Sequence, residues 1–147
     1  MLCSRFRLRV MLDKDSKVEA MEHVPLFARL SKGELRRIAQ LADEVDLRAG
    51  KVLTTEGTRG REFFVLLEGT ADVRSNTRLL PALGPGDFFG EIALVSDVPR
   101  TATVTATSPV RALVITDRSF RELLRSSPVI QGKVLEAVAQ RLADLAR

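Results

Sequence analysis

The sequence predicts a mainly β domain with flanking helices: a closed β sandwich or jelly roll, one helix before it and two after it. Three observations carry this. Between Val45 and Thr116, short apolar runs recur at roughly 8–12-residue spacing with glycine between them, as in antiparallel all-β folds. Capped segments with helical spacing flank that stretch on both sides. The chain has 147 residues, 45% of them hydrophobic, which suits one domain around one core.

Residues 1–22 read as a leader or linker, with the domain proper over 23–147. "RFRLRV" alternates basic and apolar residues, and "DKDSKVEAME" is polar and helix-tolerant, which fits a docking helix, a linker or a frayed end alike. Arg5, Arg7 and Arg9 read as an ordinary solvated tail. In "LSKGELRRIAQLAD", Ser31 and Glu34 form a capping box, and Leu35, Ile38, Ala39 and Ala42 share one face. A helix over about 31–43 follows. "EVDLRAGKVLTTEG" turns at Ala49-Gly50. "EFFVLLEG" is a continuous apolar run, the mark of a strand buried on both faces. "TADVR" and "RLLPALG" flank Ser75-Asn76-Thr77 as a hairpin, and "TATVTAT" and "VRALVIT" supply the last strands. Thr116 or Asp117 caps "RSFRELLRSS", which Pro128 ends. The last helix is predicted over about 129–147, with Val134, Leu135, Val138, Leu142 and Leu145 as its apolar stripe.

Composition excludes several function classes. Cys3 and His23 are the sole cysteine and histidine, so no internal disulfide and no Cys/His zinc site can be built. Ser-His-Asp chemistry would have to pass through His23, near Pro25 in a predicted loop. No apolar run reaches the ~18 residues of a membrane span, and the N-terminus lacks the apolar core of a secretory signal. A cytoplasmic location is expected. The net charge of +4, with no Trp or Tyr, reads as ordinary surface charge rather than a nucleic-acid footprint.

One stretch is spent differently. "GDFFGEIALVSDVPRTATV", Gly86 to Val104, places a Glu and an Arg around a glycine turn and a short helical segment. Gly90 allows close backbone approach to a ligand. The first turn of "EIALVSD" would present free N–H groups to an anion. Arg100 offers a planar fork of donors for phosphate oxygens, and Thr101 adds a hydroxyl. Glu91 accepts hydrogen bonds and suits a ribose 2′-OH. Together these describe a site for a sugar phosphate. The same residues also fit a structural Glu91–Arg100 ion pair, and residue chemistry alone leaves both readings open.

"FGEIALVSDVPRTATV" closely resembles the phosphate-binding cassette of the cyclic nucleotide-binding domain family, F-G-E-[IL]-A-L followed after a gap by P-R-[AST]-A-T-V. The similarity runs from about Val24 to Arg147 and extends to the ligand domains of the catabolite activator protein and of protein kinase A regulatory subunits. It implies an eight-stranded antiparallel jelly-roll β-barrel with an N-terminal helix and C-terminal B and C helices. It implies that Arg100 grips the cyclic phosphate and Glu91 takes the ribose 2′-OH. Phe89, Gly90, Ile92 and Ala93 would surround the sugar phosphate, and Thr101 and Ala102 would finish the phosphate shell. The purine would lie against Val65 or Leu53, under the C helix. The base-reading stretch of that helix falls at Leu145 and Ala146, which implies an apolar lid from Leu145 and no polar reading of the base.

The implied function is a non-enzymatic sensor or regulatory domain for a cyclic nucleotide, cAMP ahead of cGMP, whose binding repositions the C helix. No metal and no cofactor beyond that ligand are implied. The expected partners are an effector domain or protein, or a second copy through the C helix. Direct DNA binding is not expected, because the chain stops at Arg147, where DNA-binding members continue into a helix-turn-helix. The alternative is a nucleotide-independent interaction or dimerisation module on the same fold.

Overall fold

The computed structural model describes residues 14–146. Cys3, Arg5, Arg7, Arg9 and the alternating "RFRLRV" lie outside them. In chain order come α1 (Lys14–Glu22), a 3-10 turn (Pro25–Phe27), α2 (Lys32–Leu41), β1 (Asp43–Leu47), β2 (Val52–Thr54), β3 (Glu62–Glu68), β4 (Ala71–Ser75), β5 (Arg78–Leu83) and β6 (Phe88–Phe89). Then follow α3 (Glu91–Ser96), β7 (Thr103–Ala106), β8 (Val110–Thr116), α4 (Asp117–Ser126) and α5 (Pro128–Ala146). None of these helices is long and apolar enough to cross a membrane.

The eight described strands form two antiparallel four-stranded sheets, β1-β8-β3-β6 and β2-β7-β4-β5. Four of the pairings nest: β4 with β5, β3 with β6, β2 with β7 and β1 with β8. The chain behaves as one long hairpin rolled up, which is the jelly-roll arrangement. Its innermost turn is tight, with Asn76 at φ 51 and Thr77 at φ 66 between the paired Ser75 and Arg78.

Strand β3 explains the layering. Phe63 and Val65 point to the helices and Phe64 and Leu66 into the sandwich, all four at 0% exposure. Strict alternation thus gives one strand two apolar faces. Phe63 stacks on Phe120 of α4 with centroids 4.3 Å apart. Burying each such ring contributes roughly 2–3 kcal/mol.

The helices follow their caps. Ser31 Oγ accepts from Glu34 N–H (3.2 Å), and Glu34 Oε1 accepts from Ser31 N–H (3.1 Å), closing the predicted box. Thr116 Oγ1 accepts from Ser119 N–H at the start of α4. Helix α1 belongs to the packed unit, so packing begins inside the stretch read as a leader. Val18 and Met21 are buried with Leu35 and Ile38, and Lys17 Nζ donates to the Ala39 and Ala42 carbonyls at the end of α2 (3.0 and 2.9 Å). Lysine suits that place because the last helical carbonyls lack intrahelical donors.

The apolar stripe of α5 divides. Val134 is buried against the core, whereas Leu135 and Leu142 are 56% and 48% exposed. The first part of the nineteen-residue α5 packs against α4 and the 3-10 turn, where Lys133 Nζ donates to Pro25 O, and the helix also meets α3.

Candidate functional site

The site is built outward from β3. Phe89 pairs with Phe64 across β6 and β3, and their rings stack at 4.7 Å with planes 5° apart. This fixes the chain just before Gly90. Gly90 stands at φ 96 as the N-cap of α3, a left-handed conformation that a side chain would strain. A Cβ there would also come within 2.8 Å of both Glu62 O and Arg100 Nη1.

Arg100 is the anchored member. Its backbone N–H donates to Thr58 O and its carbonyl accepts from Gly57 N–H, both at 2.8 Å. The next two carbonyls are held as well, Thr101 O by Ser75 Oγ (2.8 Å) and Ala102 O by Thr54 Oγ1 (3.1 Å). The guanidinium donates through Nη1 to Gly90 O (3.1 Å) and through Nη2 to Glu62 O (2.8 Å), with the Glu62 carboxylate 3.8 Å away. The side chain is 5% exposed. Two backbone carbonyls therefore aim a nearly buried cation, main-chain bonds to the β2–β3 loop fix the residue that carries it, and side-chain hydroxyls of β4 and β2 hold the two residues after it.

Glu91 opens α3, where a carboxylate suits the positive end of the helix dipole. Its side chain is 1% exposed and does not pair with Arg100. Arg141 of α5 instead donates through Nη1 to Glu91 Oε1 and through Nη2 to Phe88 O. The Arg141 guanidinium also lies 5.2 Å from the Phe88 ring centroid. One side chain thus bolts α5 onto the carboxylate, the carbonyl and the ring at the start of the cassette.

Arg100 and Glu91 line a common cavity of about 330 Å³, within the ~300–1,000 Å³ of small-molecule sites. Phe89, Gly90, Ile92, Ala93, Thr101, Ala102 and Leu145 line it too, so nine of the eleven expected residues converge. Val65 and Leu53 do not. Val65 points into the layer beneath the helices and Leu53 into the sandwich interior. Their apolar role at the cavity falls to Val73, Leu80, Leu83 and Val104. The lid also differs from expectation. Gln140, Arg141 and Asp144 of α5 border the cavity beside Leu145, so the helix brings polar groups to it. Gln140 Nε2 donates to Asp144 Oδ1 at 3.2 Å. These residues were missed because helical charges are normally read as a solvated face. The available signal was spacing, since Ala137, Arg141 and Leu145 recur every four residues and so share a face.

Comparison with known proteins identifies the family. The sequence pattern described as the cyclic nucleotide-binding domain matches residues 44–127. The chain is 36% identical over 110 residues to a cAMP-dependent protein kinase regulatory subunit of Mycosarcoma maydis, covering 69% of this chain and 21% of that protein. Among solved structures, cAMP-bound PfPKA-R superposes with a TM-score of 0.80 at 25% identity, over 90% of this chain and 47% of that one. The regulatory subunit of a cAMP-independent protein kinase A from Trypanosoma brucei shares the fold at a TM-score of 0.77 and 23% identity, over 86% of this chain and 46% of that one. The chain thus spans about a fifth of the curated relative and about half of each solved chain. With the cassette, the rolled double sheet and the matched stretch in agreement, the chain belongs to the cyclic nucleotide-binding domain family.

Proposed function

We propose that this chain is a non-enzymatic regulatory module that binds a 3′,5′-cyclic nucleotide, cAMP in preference to cGMP, in the cavity between the cassette and α5. One observation carries this reading: a nearly buried arginine and a nearly buried carboxylate border one cavity without pairing with each other. Arg100 neutralises the cyclic phosphate, assisted by the first-turn N–H groups of α3, which have no intrahelical acceptor. Glu91 accepts the ribose 2′-OH. The base lies toward Val73, Leu80 and Val104, beneath Gln140, Asp144 and Leu145. The preference for cAMP rests on the name of the Mycosarcoma maydis relative.

Regulation follows from Arg141. The ribose contact engages Glu91, and Glu91 is tied to α5, so ligand occupancy is felt by the helix. A micromolar ligand contributes about 8 kcal/mol in total, and only the part that differs between open and closed α5 moves the helix. The partner is an effector domain or protein that reads the position of α5, or a second copy seated on its exposed Leu135 and Leu142. The cytoplasm is the proposed location, and DNA is not a proposed partner.

A second reading, a nucleotide-independent module, keeps standing because the same fold occurs in a regulatory subunit described as cAMP-independent. Calorimetric titration of nucleotide-stripped protein with cAMP and cGMP separates the two. Micromolar binding of cAMP, weaker for cGMP, is expected. Absence of heat from either nucleotide at high micromolar concentration would leave the second reading.

A further inference from the structure

We propose that Gly60 is a positioning residue for the phosphate anchor: its missing side chain is the space in which the Arg100 guanidinium lies. The inference rests on Arg100 being that anchor, and it adds a residue that neither borders the cavity nor belongs to the cassette.

Gly60 sits in the loop between β2 and β3, two residues before Glu62. Turn glycines of this fold hold left-handed backbone at Gly50, Gly57, Gly69, Gly86 and Gly90, but Gly60 does not. Backbone freedom is therefore not what the position uses. A Cβ at residue 60 would lie 1.8 Å from Arg100 Nε, 2.1 Å from Cζ and 2.5 Å from Nη2. The first of these is about 1.7 Å closer than the ~3.5 Å of ordinary contact. Gly90 also approaches the guanidinium, where a Cβ would be 2.8 Å from Nη1. The guanidinium thus lies against two glycines and is pinned by the Gly90 and Glu62 carbonyls.

The two glycines differ in what they protect. At Gly90 a side chain would meet Glu62 O and strain a backbone at φ 96, so substitution there harms fold and site together. At Gly60 the three nearest atoms all belong to the end of the Arg100 side chain and none to backbone. The fold can absorb an alanine by letting the guanidinium swing out, whereas the phosphate grip cannot.

The test compares Gly60→Ala with Gly84→Ala, where an added Cβ meets nothing within 4 Å. Thermal unfolding, cAMP titration and ¹⁵N spectra of the Arg100 side chain, assigned through Arg100→Lys, are measured on the full chain. Gly60→Ala is expected to lose about tenfold or more in cAMP affinity through a misplaced charged donor. Its Tm is expected to stay within about 3 °C of the parent, and the Arg100 Nε–H signal to move and lose its protection from exchange. Gly84→Ala is expected to match the parent in all three. Parental affinity, a parental Arg100 signal or loss of the fold in Gly60→Ala each overturns the proposal. If the parent binds no cyclic nucleotide, the functional reading fails by itself, and the Arg100 spectrum still decides whether Gly60 positions the guanidinium.

Discussion

The two ends of the cavity are built to different standards of rigidity. At one end, Arg100 is held by main-chain bonds to Thr58 and Gly57 and aimed by the Gly90 and Glu62 carbonyls. Everything it rests on is sheet or loop stapled to sheet. At the other end, Glu91 meets Arg141, whose own support is a helix with Leu135 and Leu142 turned to solvent. A firmly held cation faces a carboxylate latched to a partly exposed helix, the element proposed to move. A sensor needs this asymmetry, because a ligand held equally by two rigid walls would shift nothing.

The largest expected effect breaks the fixed end. Arg100→Leu removes the charge while leaving the sheets intact, and cAMP affinity is expected to fall on the order of 100-fold or more. Calorimetry checks this, and parental affinity would contradict the phosphate assignment. Next comes Glu91→Ala, which removes the ribose acceptor and also unlatches Arg141. A loss of about 10- to 100-fold is expected, as for a buried charged hydrogen bond, and 2′-deoxy-cAMP should then bind no worse than cAMP.

Arg141→Ala sharpens the comparison, since it cuts the latch and leaves both primary contacts. Affinity is expected to drop only about three- to tenfold, mostly through faster dissociation in stopped-flow displacement of a fluorescent cAMP analogue. A change confined to the association rate would speak against a latch. Leu145→Ala, at the edge of the lid, is expected to cost no more than a few fold. Val65→Ala marks the zero of the scale. Its side chain lies under the helices, so it should lower stability by about 2 kcal/mol and leave cAMP affinity unchanged.

The Arg100 end was far more legible in the sequence than the α5 end. Gly90, Glu91 and Arg100 declare themselves because a glycine, an acid and an arginine around a short helix break the alternation of neighbouring strands. Ser31-x-x-Glu34 and Thr116 announced their helix starts for a similar local reason. The apolar wall was misassigned because "EFFVLLEG" has two buried faces, and alternation says which residues share a face without saying which layer that face meets. Val65 took the layer beneath the helices. Arg141 was hidden because its meaning depends on where α5 lies over the cassette, some fifty positions away in sequence. Whether the helix-tolerant α1 segment docks could not be decided from sequence, because its polar composition conceals two buried residues, Val18 and Met21, and a lysine that caps another helix.

Hydrogen exchange with and without saturating cAMP tests most directly whether one end is fixed and the other moves. Amides of α5 over residues 137–146 are expected to gain protection on binding, while those of β3 and β7 stay as slow as in the free protein. In Arg141→Ala the gain along α5 is expected to shrink even at saturation. Binding that leaves α5 unchanged, or that protects β3 and β7 as strongly as α5, would contradict a fixed anchor opposed by a movable latch.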